Sequence, residues 1–451
     1  MKRQNKHSIP VEEHLANLSQ SAAKKKKTNK PREEKLQGFQ KIAADEEVAL
    51  FQSNLTTEFK FPDRDPTLLQ FFLYHFDDEF IDKLIYENIE LTEFDQLPPI
   101  FWNPADKTRR RDLDVERRKL VLKFIATKLF IMSDPSKLLV KNWPMKKEVS
   151  DLYLTRDPFR LMLSNMLIRL NMVEEVNERL GRYIESGRHV MIDEKHKGTN
   201  REQYLARWVH GKDPNWGHWI TEVTTIGAKT GMPLLIKLMP LTSTEPRNVT
   251  LEPYNNLSLV DVHREIGPIL RKDTFIVEDA YYLDDQSRTY LRDEGIKYIS
   301  AVNPVRFAEV WEECKPFVQN KGDWVIMENK TTKEHAMMRW DPIGERKQYV
   351  ITNAFKTRKK AYKKATDINA ISETYKLLFN GCDRFNSLLN NKYWPYDRKG
   401  WQQNFDDFFF SAIILNIYVI YHEQFELKSN ISFNEFSLDL ADKIAKHVQK
   451  L

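Results

Sequence analysis

Cysteine is scarce in this chain: Cys314 and Cys382 are the whole complement among 451 residues. Two thiols exclude a disulfide scaffold and any CxxC-type zinc site, and they suit a reducing intracellular compartment. No uninterrupted apolar run reaches the roughly 18 residues of a membrane span, so none is expected. The opening MKRQNKHSIPVEEH carries positive charge with no apolar run behind it, which excludes a secretory signal. Strong net charge is missing too. The formal balance is +5, but residues 1–35 hold ten Lys/Arg against four Asp/Glu, leaving 60 basic and 61 acidic residues elsewhere. Attraction to nucleic acid must come from that tail and from local patches.

What is present is enough apolar material, 41% with 12% aromatics, for two or three packed units. Residues 1–62 read as a disordered basic tail, poor in large apolar side chains before Val48. Within it Lys24–Lys27, Lys30 and Arg32 resemble a nuclear import signal, although a solvated charge run has the same composition. Residues 63–187 show helical spacing, as in Leu68–Tyr86 and Leu113–Phe130, and Asp157-Pro158 opens a further helix. This is a helical domain.

At Arg188 the periodicity shortens. Three strand-like runs, His189–Ile192, His218–Thr225 and Met232–Leu238, are followed by a helix, the strand Thr274–Val277, another helix and the strand Lys297–Val302. Short turns suit antiparallel neighbours and helical crossovers suit parallel ones, so the order predicts a mixed sheet of the ribonuclease H type. The expected fold class is α/β, a ribonuclease-H-like catalytic core set inside helices. Its first part is 188–318, its last helix 372–395. A small β-rich insertion spans 319–371, with a hairpin about Thr331-Thr332, and C-terminal helices over 396–451 pack on the helical domain.

Asp193 and Asp279 each stand just past an apolar strand, and Asp383 lies on a later helix. The first and fourth strands of such a sheet are neighbours, which sets two carboxylates side by side. Like charges that close are sensible around divalent cations, so the triad is the candidate catalytic and metal site, with Mg²⁺ or Mn²⁺ as the expected cofactor. Asp at a strand end is also a common turn former. Lys356, Arg358, Lys359, Lys360, Lys363 and Lys364, around Phe355 and Tyr362, are candidate double-stranded-DNA contacts, with a solvated helix face as the alternative. His189, His196 and His218 lack metal-ligand spacing and read as incidental.

From about Pro66 to about Glu423 the chain resembles the piggyBac transposase family. The blocks are Asp65-Pro66 through Phe80-Ile81, then Val115–Met132 with Asn142-Trp143, then Thr155–Phe159. Ile192-Asp193-Glu194, Lys197-Gly198 and Lys212–Gly217 resemble the first-Asp block and its Trp-Gly turn; Val277–Tyr282 resembles the second. Trp340-Asp341, Tyr375–Asp383 and Lys399–Trp401 through Tyr418 follow in order. The resemblance implies catalytic Asp193, Asp279 and Asp383. It also implies a nuclear enzyme, working as a homodimer, that nicks DNA, makes hairpinned transposon ends and joins them at TTAA.

Three departures stand out. The family often has another Asp three residues after the third; here it is Asn386, a neutral oxygen and a weaker metal ligand on the same helix side. Glu278, beside Asp279, reads as an outward strand-end residue. The family's Cys-rich zinc domain has no counterpart in these residues, so no zinc is expected and the grip on DNA differs. A domesticated DNA- or chromatin-binding protein with weak or no catalysis is the competing expectation.

Overall fold

The computed structural model describes residues 39–89, 110–133, 152–199, 207–208, 216–239, 258–359, 379–389, 401–425 and 431–451, apart from a few single positions within those ranges. Among them a ten-stranded mixed sheet is the centre of the molecule. Its strands are β1 (Phe39–Lys41), β5 (His189–Thr199), β6 (Arg207–Trp208), β7 (Trp216–Ile226), β8 (Pro233–Met239), β9 (Phe275–Glu278), β10 (Lys297–Ala301), β11 (Trp324–Asn329), β12 (His335–Trp340) and β13 (Lys347–Thr352). The order is β1-β11-β12-β13-β10-β9-β5-β7-β6, and β8 also pairs with β7. Two short ribbons, β2 (Glu46–Leu50) with β14 (Phe355–Lys359) and β3 (Glu58–Phe59) with β4 (Ile184–Glu185), lie beside it.

The pairing follows from the connections. β5, β7 and β8 form the antiparallel meander, whereas β5, β9 and β10 run parallel and are joined through helices. Residues 190–192 of β5, all of β9 and 298–300 of β10 are fully buried because both faces of the sheet are covered there.

Two expectations need correction. Residues 39–59, expected in the disordered tail, instead form β1, β2 and β3, each hydrogen-bonded to later parts of the chain. Strands this short carry little periodic signal, and their order comes from partners distant in the chain, as in Phe39 with Asn329, Leu50 with Phe355 and Glu58 with Glu185. Of the segment 319–371, expected as a separate insertion, residues 324–352 instead continue the main sheet beyond β10 through β13, β12 and β11. The hairpin about Thr331-Thr332 is present, between β11 and β12.

The helices are α1 (Leu68–His75), α2 (Asp78–Asn88), α3 (Arg110–Ser133), α4 (Arg156–Asn165), α5 (Leu170–Tyr183), α6 (Leu259–Ile266), α7 (Asp285–Asp293), α8 (Ala308–Cys314), α9 (Arg384–Leu389), α10 (Trp401–Gln424) and α11 (Phe433–Lys450). Capping boxes set the starts of α1 (Thr67 with Gln70), α6 (Ser258 with Asp261) and α11 (Ser432 with Glu435). α10 is the central rod. Residues 405–420 are buried on every side of it, between the sheet and α1, α4 and α11. It is apolar and long enough to cross a membrane, but 89% of its apolar window is already covered by protein. Lys128 on α3 and Asp407 on α10 form a buried ion pair, and Asp406 accepts a hydrogen bond from the Ile168 amide at 3.1 Å.

β8 would leave an exposed edge. Side chains close it. Asn177 of α5 accepts from the Leu238 amide at 2.8 Å and donates to the Leu238 carbonyl at 2.9 Å. Asn416 of α10 does the same to Leu235, at 2.8 and 2.9 Å. Each carboxamide acts as one residue of a neighbouring strand.

Candidate active site

The parallel pairing of β5 with β9 matches Met191 with Val277 and Ile192 with Glu278. The next residue on each strand is Asp193 and Asp279, so the two stand side by side at one sheet edge. Strand alternation puts them on the face that carries Met191 and Val277. Those two pack with Cys382 in a small buried cluster, which tells which helix covers this face. The chain over Phe379–Asp383 forms a π-helical turn leading into α9. Gly381 lies against Met191 so tightly that a Cβ there would meet its Cε, Cγ and Cβ at 2.6, 2.9 and 3.0 Å. The Cys382 thiol sits 3.3 Å from the Thr224 hydroxyl, with the Met191 and Glu222 carbonyls at 3.6 Å. Glycine and a buried thiol thus dock the turn on β5 and β7, and the following residue is Asp383.

Electrostatics report the same closeness. Burial, then the charge of Glu194, and further on that of Asp383 raise the Asp193 carboxyl well above the ordinary range. Tyr282, fully buried, shares a 3.1 Å hydrogen bond with Thr221, and its phenol is raised by burial and then by Glu194 and Asp193. Asp193 and Asp279 also hold their own turns, accepting from the amides of Glu194 (2.9 Å) and Ala280 (2.5 Å).

A fourth acid belongs to this face. Antiparallel pairing sets Glu222 of β7 directly opposite Asp193, and opposed residues share a face. Glu222 is fully buried, and the Asn386 amide donates to its Oε2 at 3.0 Å. Burial pushes its carboxyl up to about 8; Lys195 and Asn386 oppose this, while Asp383 and Glu194 add to it. A single acid in the otherwise apolar and Thr-rich run Ile220–Ile226 is the signal for it in the sequence.

Asn386 itself is turned toward Glu222 through its nitrogen, leaving Oδ1 for another partner. Glu222 Oε1 and Asn386 Oδ1 are both buried with no hydrogen-bond partner. Oxygen-only donors and two orphaned oxygens fit a hard divalent cation in type. Among the described residues no three His, Cys, Asp or Glu side chains stand within reach of one ion.

Glu278 is not an outward residue. It is fully buried on the opposite face from Asp279, where its Oε2 meets His263 Nε2 at 2.7 Å, while His263 Nδ1 donates to the Leu259 carbonyl at 2.8 Å. Strand alternation alone requires this once Asp279 faces the helix. His196 packs its ring over Gly217, the Trp-Gly turn's glycine, where a Cβ would meet the ring at 2.3–2.8 Å.

The basic stretch begins as a strand, not a helix. Residues 355–359 pair with 46–50, Phe355 is buried and so cannot stack on a base, and Lys356 is exposed with its ammonium 5.0 Å from the Phe51 ring. Burial first, and then Lys356, depress the Lys297 ammonium. Lys360, Lys363, Lys364 and Tyr362 lie outside the described residues.

Fold and site define an α/β protein in which a mixed sheet presents carboxylates to a covering helix, flanked by a helical bundle. No family model matches the sequence, and no curated protein matches it either. Among solved structures, the chain is similar to a piggyBac transposase, seen in a synaptic complex with hairpin DNA, at a TM-score of 0.62. The match covers 86% of this chain and 82% of that one at 14% identity. The protein has the fold of a piggyBac transposase.

Proposed function

We propose that this chain is a DNA transposase of the piggyBac type, with a ribonuclease-H-like core that cleaves and joins DNA strands with the help of Mg²⁺ or Mn²⁺. The observation that supports the reading is the strand register that makes Asp193 and Asp279 neighbours, with Gly381-Cys382 docked on Met191 just before Asp383. The meander followed by two parallel strands supports the ribonuclease-H-like topology. The neighbouring transposase fold, described with DNA, supports double-stranded DNA as the partner.

Asp193, Asp279 and Asp383 would hold the divalent ions, with Asn386 Oδ1 as a neutral donor. Bound there, the ions would activate a hydroxyl for in-line attack on a phosphodiester and stabilise the leaving oxygen. The residues' own part is positional. β5 and β9 hold two carboxylates rigidly, and the helical turn brings the third across them. Family likeness extends the proposal to a nuclear homodimer that synapses two ends and inserts at TTAA, with Lys24–Lys27 as its import signal.

The test is cleavage of a labelled duplex carrying the element's own ends, titrated with Mg²⁺ and Mn²⁺. Wild type is expected to nick it, and Asp193→Ala to lose cleavage while keeping its fold and duplex affinity. No cleavage at any metal concentration by folded wild type would refute the enzymatic reading. Cleavage by Asp193→Ala would refute the site.

A further inference from the structure

We propose that Glu222 is a metal-site residue: it supplies from β7 the carboxylate that position 386 of the covering helix lacks. The inference rests on the acidic site proposed above and adds a residue and a direction of approach to it.

Geometry carries the case. Glu222 is opposite Asp193 in the β5–β7 register, on the same face of the sheet, and Asp383 and Glu194 both act on its charge. It is fully buried, and Asn386 is 8% exposed. The Asn386 nitrogen donates to one carboxylate oxygen at 3.0 Å, so the two side chains form one hydrogen-bonded unit. That unit leaves two buried oxygens, Glu222 Oε1 and Asn386 Oδ1, with no donor. An unmet buried acceptor costs on the order of 1–3 kcal/mol, and two from one pair point to a ligand that takes oxygen donors. Positive charge is what the surrounding acids require.

The arrangement also accounts for Asn386. Residues 383 and 386 are about one helical turn apart and share a side. An acid at 386 would place two carboxylates against each other, with Glu222 already there. An amide there orients Glu222 through its N–H and still offers an oxygen. The rival explanation is structural: Glu222 serves Lys195, which attracts its charge, and the Asn386 amide, and takes no part in metal binding.

Calorimetric titration of the DNA-free full-length chain with Mn²⁺ separates these. Glu222→Gln keeps the side-chain shape and a carbonyl oxygen for Asn386, and is expected to weaken Mn²⁺ binding on the order of 10–100-fold. The double variant Glu222→Gln with Asn386→Asp, which returns the acid to the helix, is expected to regain at least about tenfold of that loss. Melting in chelator shows that each variant is folded, and the rescue cannot come from a misfolded chain. Unchanged Mn²⁺ affinity in Glu222→Gln, with Asp193→Asn weakened, overturns this proposal alone. Equal Mn²⁺ affinity in wild type and Asp193→Asn overturns the acidic site and this proposal with it.

Discussion

Three histidines are held without charge inside the protein. Burial, with Arg179 adding to it, lowers His75 to about 3; burial lowers His189 to about 4, with Arg188 adding. Burial also lowers His335 to about 4, against the pull of Glu328. In each case the folded pKa lies below the unfolded 6.5, so the unfolded chain takes up the proton first. The stability they permit is present above about pH 6.5 and is lost as pH falls toward 4 and then 3. His263 is the opposite case: burial opposes its charge, but Glu278 outweighs burial and raises it, so its contribution is present in acid and lost as pH rises through the raised value. The raised carboxyls of Asp193 and Glu222 act in the same direction as His263, so the three histidines add an acid-labile part to a mixed pH dependence. For His75 alone a drop from 6.5 to about 3 corresponds to at most about 4–5 kcal/mol once pH falls below both values. The urea midpoint of His75→Phe, which keeps an aromatic beside Phe61 and Phe71, is expected to lose less on acidification from pH 7 to pH 4.5 than that of wild type. A slope equal to wild type would show that another group controls acid unfolding. Gly381 sets a second limit at this scale. Gly381→Ala forces a Cβ into Met191, is expected to cost about 1–3 kcal/mol, and should lift Asp383 away from Asp193. A stable Gly381→Ala protein with wild-type Mn²⁺ affinity would mean that the docking of this turn does not position Asp383.

Elements are joined here by side-chain amides that imitate backbone. Asn177 and Asn416 close the outer edge of β8, and Asn353 treats β10 the same way, accepting from the Tyr298 amide at 2.9 Å and donating to the Ile296 carbonyl at 2.8 Å. Asn416→Ala strands one buried N–H and one C=O, each costing on the order of 1–3 kcal/mol, whereas Asn416→Asp keeps only the acceptor. Asn416→Ala should lower the urea midpoint strongly, and a double variant with Asn177→Ala should aggregate on partial unfolding through the opened edge. A change below about 0.5 kcal/mol in Asn416→Ala would show that water replaces the amide. The β2–β14 ribbon belongs to this scale as well: residues 46–50 pair with the basic strand and so help hold Lys356 in place.

The whole molecule is nearly neutral once residues 1–35 are set aside, so the DNA contact proposed above would have to be concentrated in a local patch. The candidate is the strand 355–359, where Lys356 stands close enough to Lys297 to depress its ammonium, after burial. Replacing Lys356, Arg358, Lys359 and Lys360 by Gln is expected to weaken binding to any duplex. The salt slope should fall by up to about 3–4, near 0.9 for each phosphate left without its cation. Filter binding across salt concentrations measures it. An unchanged slope would assign these cations to solvent.

Periodicity and punctuation in the sequence were sufficient for the helices, the meander, the hairpin about Thr331-Thr332 and the apolar α10, because each of these is a local pattern of burial. Asp193 and Asp279 were legible for the same reason, as charges at the ends of apolar runs whose neighbours follow from connection length. Asp383 was read as a third acid on a later helix, and the resemblance pointed to the same residue. The pairing of residues 39–59 with later strands, the continuity of β11–β13 with the main sheet and the burial of Glu278 were not legible, since each depends on contacts distant in sequence. Glu222 shows the boundary most plainly. An acid within a strand is ordinary in a sequence; only the register that sets it opposite Asp193, and the helix that lays Asn386 over it, turn it into a buried carboxylate with one oxygen unmet. Local pattern determined which residues are charged and which elements they end, while tertiary packing alone decided which charges meet, because desolvation and like-charge repulsion exist only where separate elements come together.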